Sequence, residues 1–276
     1  MARRIPPILT AENSRLMLDG VEVVSLDLGL TKTEVEILRE AVILPTGEKV
    51  SLEDLGSITE RRDAAFFPNN GQLYQIAVSN GHYYKLVPTS GAPTVELDGI
   101  RMHRTKGTTP DRDASDKIKT LGISGGKVLD TCAGLGYTAG AALDRGAEVV
   151  VSIEVSPQVL RIAQMNPWSI RLFDGVVSTV LGDVSRVLDA LPEGFFDYVI
   201  HDPPRLPLAG RLYGESFYTE LFRMIAHGGK LFHYTGEPGS RHRGVNLWRG
   251  VSRRLSAVGF KNVEYHDDML GLTCEK

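Results

Sequence analysis

Residues 130–138 read Asp-Thr-Cys-Ala-Gly-Leu-Gly-Tyr-Thr, residues 201–205 read His-Asp-Pro-Pro-Arg, and Glu154 and Asp183 stand between them. Glycines directly after a strand let backbone approach a ligand closely, and the next helix turns free N–H groups towards it. Gly134-x-Gly136-x-x-Ala139 with Glu154 downstream also fits a dinucleotide fingerprint whose acid binds a ribose. Asp130 weighs against that NAD-dependent oxidoreductase reading, because a carboxylate just ahead of the glycines repels a pyrophosphate and attracts an ammonium. Asp183 follows Gly182 at a third strand end, where an acid can accept a hydrogen bond from an adenine amino group. Asp202-Pro203-Pro204 follows a fourth strand.

These residues need parallel strands to bring them to one edge. Lys127–Thr131, Glu148–Ile153, Val176–Leu181, Asp197–His201 and Gly229–Tyr234 read as strands alternating with helical segments, and a final pair lies near Val263–Tyr265 and Gly271–Cys274. Ser156-Pro157 and Ser216 open two of the helices, while Trp248, Val251, Leu255 and Val258 form one apolar stripe ended by Gly259. The first hundred residues have another grammar. Val35 and Ile37 alternate with Glu34 and Glu36, Pro45-Thr46-Gly47-Glu48 makes a turn, and Asn80-Gly81 and Asp98-Gly99 suit two-residue hairpins. Short helices are expected at Leu52–Gly56 and Ile58–Ala65. The expected fold class is therefore α/β, a Rossmann-like seven-stranded sheet with a small β-rich N-terminal domain. The expected boundaries are 1–104 for that domain, 105–116 for a linker or cofactor lid, and 117–276 for the catalytic domain.

Over 117–276 the ordered motifs resemble the class I, Rossmann-like S-adenosylmethionine-dependent methyltransferases. More narrowly, residues 128–138 with His201-Asp202-Pro203-Pro204-Arg205 and Phe232-His233-Tyr234-Thr235-Gly236 are similar to a group of predicted archaeal methyltransferases. The resemblance implies S-adenosyl-L-methionine as cofactor. Asp130, Ala133, Gly134 and Gly136 would hold its methionine end, Glu154 its ribose and Asp183 its adenine, with Thr131, Thr138, Val155 and Val184 alongside. No metal site is expected.

Asp202-Pro203-Pro204 resembles the (Asp/Asn)-Pro-Pro-(aromatic) signature of enzymes that methylate planar amino nitrogens. An exocyclic amine is a poor nucleophile because its lone pair is delocalised into the ring, whereas a sulfonium methyl is already electrophilic. Such a site therefore orients N–H groups more than it removes protons. Asp202 would accept one N–H and the Pro203 carbonyl the other, with Pro204 fixing the turn. Arg205 stands where the signature has an aromatic residue; a guanidinium can also stack on a base, and Tyr213, in a glycine-flanked loop, is the best candidate to fold over it. Enzymes that methylate C5 of pyrimidines share Asp-Pro-Pro-Arg but need a nucleophilic cysteine, and neither Cys132, in the glycine loop, nor Cys274, near the end, fits that place.

The acceptor is expected to be RNA, ribosomal or transfer. The formal charge of −3 over 276 residues excludes a protein that coats nucleic acid, yet residues 238–263 hold six Lys/Arg and no acid. Arg241, Arg243, Arg249 and Arg253 are thus candidate phosphate contacts, and residues 103–109 a second contact or a lid. Family resemblance suggests cytosine N4 in ribosomal RNA. Alternatives are a small-molecule or protein amine as acceptor, or a non-catalytic RNA-binding module that keeps the pocket. With 42% hydrophobic and 24% charged residues, two cysteines and no long apolar run, a cytoplasmic protein without a membrane segment is expected.

Overall fold

A computed structural model describes residues 5–236 and 247–276 of the chain. It contains two compact units, one of Met1–Pro110 with Gln158–Ile170 and the other of Asp111–Pro157 with Arg171–Lys276.

The first unit is β-rich. Asp98 and Gly99 both take positive φ (47° and 83°), joining strands Thr94–Leu97 and Ile100–Arg101 by the two-residue hairpin their types suggest. In the same four-stranded sheet, Ala77–Ser79 and Tyr83–Val87 are joined by three residues, Asn80-Gly81-His82, and not by the expected two; Gly81 takes positive φ (72°) while Asn80 does not. Val35 is buried between exposed Glu34 and Glu36, but the alternating run is divided between Thr33–Glu34 and Glu36–Ile37, which belong to different small sheets. Two local expectations need correction. A single helix, Leu52–Thr59, forms behind its Ser51 cap, and no helix spans Ile58–Ala65 because Phe66 exchanges two backbone hydrogen bonds with Leu9 and draws the chain into a strand. A further helix, Ala11–Leu18, begins at a reciprocal capping box between Thr10 and Asn13. Leu9, Met17, Val42, Leu55 and Ile58 make the core of this unit. Within it, the Trp168 indole donates to the Leu28 carbonyl at 3.0 Å.

The second unit carries the motifs. Its elements, in chain order, are α1 (Pro110–Leu121), β1 (Lys127–Asp130), α2 (Tyr137–Asp144), β2 (Val149–Glu154), α3 (Pro157–Met165, most of which groups with the first unit), β3 (Val177–Leu181), α4 (Val184–Val187), β4 (Phe196–His201), α5 (Leu206–Ala209), α6 (Glu215–Met224), β5 (Ile225–Tyr234), α7 (Leu247–Val258), β6 (Lys261–His266) and β7 (Gly271–Glu275). The seven strands lie in the order β3-β2-β1-β4-β5-β7-β6, parallel except for β7, which runs antiparallel to both its neighbours. Reversal of strand order between β1 and β4 opens a crevice at the carboxyl edge, the place where α/β sheets bind ligands. Leu129, Val199 and Leu231 from the sheet, with Phe217 and Leu221 of α6 and Val251 and Leu255 of α7, fill the core on one side.

Residues 110–116, expected to belong to a linker or lid, are instead the first half of α1. Pro110 at its start, Asp111 and Asp113 in its first turn and Lys119 in its last are the residues that complement a helix dipole. His103 is tied to the first unit through its ring and its backbone N–H, both bonded to the Thr94 hydroxyl.

Gly136 caps α2 at φ 79°, and a Cβ there would sit 2.4 Å from the Leu172 side chain. Backbone strain and overpacking therefore act together on any larger residue. Gly136→Ala should destabilise the protein by roughly 2–4 kcal/mol. Urea denaturation reads this as a lower midpoint at unchanged slope, and an unshifted midpoint would contradict it.

Candidate active site

Asp130 ends β1 beside Ser152 of β2 and Ile200 of β4, and it is fully buried. Its Oδ2 accepts hydrogen bonds from Thr138 and Ser152, each 2.9 Å, whereas Oδ1 is buried with no hydrogen-bond partner among the described residues. Burial pushes the pKa of Asp130 up to about 6; the two hydroxyls and the backbone N–H of Cys132 oppose the shift, and the charge of Asp202 adds to it. An orphaned carboxylate oxygen at a buried strand end is a place for an ammonium. It is an unfavourable place for a pyrophosphate, which weakens the dinucleotide reading.

Glu154 ends β2, and its two oxygens accept the backbone N–H groups of Gly134 and Ser156, each at 2.8 Å. Burial raises its pKa and these two donors hold it back. The acid thus clamps the glycine loop against β2 as well as facing the crevice. Asp183 caps α4 through Ser185 and forms an ion pair with Arg211. Thr131, Cys132, Glu154, Val155, Asp183, Val184, Pro204, Leu208 and Arg211 all line one cavity of about 180 Å³. Val155 is 63% exposed although apolar, which suits the face of a ribose or adenine ring. The orphaned oxygen, the exposed apolar side chain and the acid at each strand end together fit S-adenosylmethionine.

Other sequence-derived residues stand elsewhere. Gly136 packs on Leu172, so its need for glycine is met by packing and φ without invoking a ligand. Ala133 is buried, its N–H bonded to the Ile153 carbonyl, and Gly134 takes φ 53° at the turn. Cys132 and Cys274 have thiols pushed well up in pKa by burial, the opposite of an activated nucleophile.

Asp202 follows β4 and is partly exposed, with Pro203 buried behind it and Pro204 and Arg205 open to solvent. Its Oδ2 lies 2.5 Å from the Lys117 ammonium of α1, which also lies 2.7 Å from Asp113 and 4.7 Å from the Tyr234 ring centroid. Burial works against the charge of Lys117, but Asp202 and Asp113 more than offset it and raise the pKa. Tyr213, expected to fold over the acceptor, is buried instead, and its hydroxyl donates to the Pro204 carbonyl at 3.0 Å. Core packing takes its ring, so it braces the motif from behind. His201 is held neutral, its pKa pushed by burial down to about 4, between the Thr131 hydroxyl at 2.7 Å and the Leu212 carbonyl at 2.9 Å.

Arg249 and Arg253 are exposed on α7, with the Arg249 guanidinium over the Trp248 ring. Arg241 and Arg243 lie outside the described residues. Lys117 and Asp113 were missed by sequence reasoning, although their i, i+4 spacing after a helix-starting proline was a usable signal.

The family model described as Conserved hypothetical protein 95 matches residues 112–209. Protein MJ1233 of Methanocaldococcus jannaschii is 47% identical over 262 residues, which span 92% of this chain and 90% of that protein. The chain belongs to the MJ1233 family. A polyamine aminopropyltransferase of Mycobacterium tuberculosis is 33% identical over 128 residues, 44% of this chain and 24% of that enzyme. Among solved structures, the spermidine synthase of Thermotoga maritima matches with a TM-score of 0.55 at 18% identity, over 75% of each chain. A Streptococcus mutans protein described as an S-adenosylmethionine-dependent methyltransferase matches with a TM-score of 0.50 at 11% identity, over 74% of this chain and 58% of that one. The fold is the Rossmann-like one of class I S-adenosylmethionine-dependent methyltransferases, and spermidine synthases share it. Among the described residues, no helix is long and apolar enough to cross a membrane.

The pKa of Asp130 is about 6 when folded, against an ordinary 3.8. The folded, ligand-free protein therefore binds the extra proton between these values, and this group's contribution to stability falls as pH rises from about 4 to about 6. An ammonium-bearing ligand prefers the ionised form. Affinity for S-adenosylhomocysteine, measured by calorimetry, should rise about tenfold between pH 5 and pH 7. Asp130→Asn should bind it weakly and without that dependence; an unchanged pH profile in the variant would remove Asp130 from the ligand site.

Proposed function

We propose that this protein is an S-adenosylmethionine-dependent N-methyltransferase acting on an exocyclic amine of a base in RNA, with cytosine N4 of ribosomal RNA as the leading acceptor. The observation that carries the reading is the Asp202-Pro203-Pro204 turn at the end of β4. It borders the cavity through Pro204 and leaves a partly exposed carboxylate beside it.

Bound S-adenosylmethionine supplies an electrophilic methyl group on a sulfonium and is left as S-adenosylhomocysteine. Asp130 and the glycine loop hold its amino-acid end, Glu154 the ribose, and Asp183 with Val155 the adenine. The acceptor is oriented by this chain alone. Lys117 occupies Oδ2 of Asp202, so Oδ1 is the oxygen turned to an acceptor N–H. The carbonyl of Pro203, to which no N–H or hydroxyl of the described residues donates, takes the second N–H. Two acceptors set in one turn fix the plane of a planar amine and aim its lone pair out of that plane, so positioning supplies most of the rate. The proton shed as the N–C bond forms passes to Asp202 Oδ1 and then to solvent. Arg205 is exposed where it can stack on a base, and Arg249 and Arg253 offer phosphate contacts on α7.

A second reading takes a polyamine amine as acceptor, and the likeness to the Mycobacterium tuberculosis polyamine aminopropyltransferase favours it. Nucleoside mass spectrometry of RNA from cells with and without the gene, together with an assay of the purified protein on spermidine, separates the two. Loss of one methylated nucleoside supports the RNA acceptor. An unchanged RNA profile with transfer to spermidine of a methyl group from S-adenosylmethionine, or of an aminopropyl group from its decarboxylated form, supports the polyamine.

Asp202→Ala should lower transfer at least a thousandfold while S-adenosylhomocysteine affinity stays within about threefold, as for a residue that acts on the acceptor alone. Loss of cofactor affinity in that variant would contradict the assigned role. Replacing Arg249 and Arg253 by Ala should weaken RNA binding and reduce the slope of log K against log salt by about 1 to 2. An unaltered slope would remove α7 from the RNA site.

A further inference from the structure

The Lys117 ammonium pairs with Asp202 of the acceptor motif, 85 positions away in the chain. The Lys117 side chain is 4% exposed and Asp113's is 6%, so the ammonium and one carboxylate are shut inside the unit while the Asp202 side chain is 24% exposed. A buried Lys with two carboxylate partners is locked in place, because removing either partner leaves charge unpaired in a medium of low dielectric. Asp202 is consequently held by one oxygen from behind. Its other oxygen has a fixed direction.

We propose that Lys117, anchored by Asp113, is a positioning and specificity-determining residue that fixes Asp202 with a single oxygen facing the acceptor and makes the site select an uncharged amine over a cationic one. This inference rests on the N-methyltransferase reading above and deepens it. A planar amine needs one accepting oxygen in a set direction, which the ion pair provides. A protonated aliphatic amine needs carboxylates free of other cations, and here the Asp202 carboxylate already carries an ammonium at 2.5 Å. The groups facing Asp202 from the surrounding elements are Asp113 and Lys117 of α1, Asp130 of β1, Cys132 of the glycine loop, Tyr213 behind the turn and the Tyr234 ring of β5.

Loss of Lys117 takes a positive charge from between Asp113 and Asp202, and losing a neighbouring cation favours the protonated form of a carboxyl. Lys117→Met should therefore lower kcat at pH 6.5 by tenfold or more, with S-adenosylhomocysteine affinity within twofold, and the loss should shrink as pH rises to 9. Lys117→Arg keeps a cation and should keep the wild-type pH profile. Spermidine should inhibit Lys117→Met more strongly than wild type. If Lys117→Met does not fold, the double variant Asp113→Asn, Lys117→Met removes the like-charge pair; it should show reduced kcat, no acidic limb and retained cofactor affinity. Wild-type kcat in either variant, a loss equal at every pH in Lys117→Met, or cofactor affinity lost together with rate would overturn the proposal. The same variants are read on whichever acceptor wild type uses, so inactivity of wild type on RNA counts against the RNA acceptor, while the pH comparison judges Lys117 separately.

Discussion

Carboxylates crowd the carboxyl edge of one parallel sheet, and most of this site follows from how their charges are compensated. Asp130, Glu154 and Asp202 end three neighbouring strands, and the first two are buried. Each is answered by a different device. Hydroxyls of Ser152 and Thr138 take one oxygen of Asp130 and leave the other bare; two backbone N–H groups satisfy Glu154; and an ammonium from α1 satisfies Asp202. The bare oxygen of Asp130 is the least compensated of these, and burial raises the pKa of its carboxyl.

The same devices hold the loops. Glu154 accepts from Gly134, so the acid that faces the crevice also sets the path of the glycine loop, while Leu172 fills the space beside Gly136 where a side chain would stand. Behind β4, the buried Thr131, His201 and Tyr213 tie the motif to its surroundings, with Thr131 bonded to His201, His201 to the Leu212 carbonyl and Tyr213 to the Pro204 carbonyl. A motif braced this way needs little rearrangement to orient a substrate, which is the form catalysis takes when the chemical step is intrinsically easy.

Much of this was legible along the chain. The alternation of apolar runs with helix-starting residues placed all seven strands within a few residues, and Asp98-Gly99 announced a hairpin because few other residue pairs tolerate positive φ. The helix expected at Ile58–Ala65 failed for a non-local reason: Phe66 pairs with Leu9, fifty-seven positions earlier. Tyr213 was misread because a glycine-flanked aromatic looks like a loop tip, whereas core packing takes its ring.

By itself, then, the sequence determined what depends on near neighbours: which segments are strands and helices, the turn chemistry, and the acids that must stand at strand ends once the strands are parallel. Only the tertiary structure decided what each acid is paired with. Lys117 reaching Asp202, Glu154 reaching Gly134 and Tyr213 reaching Pro204 are choices among many chemically equivalent partners. Such choices depend on which side chains packing brings within about 3 Å, a distance no spacing rule can supply.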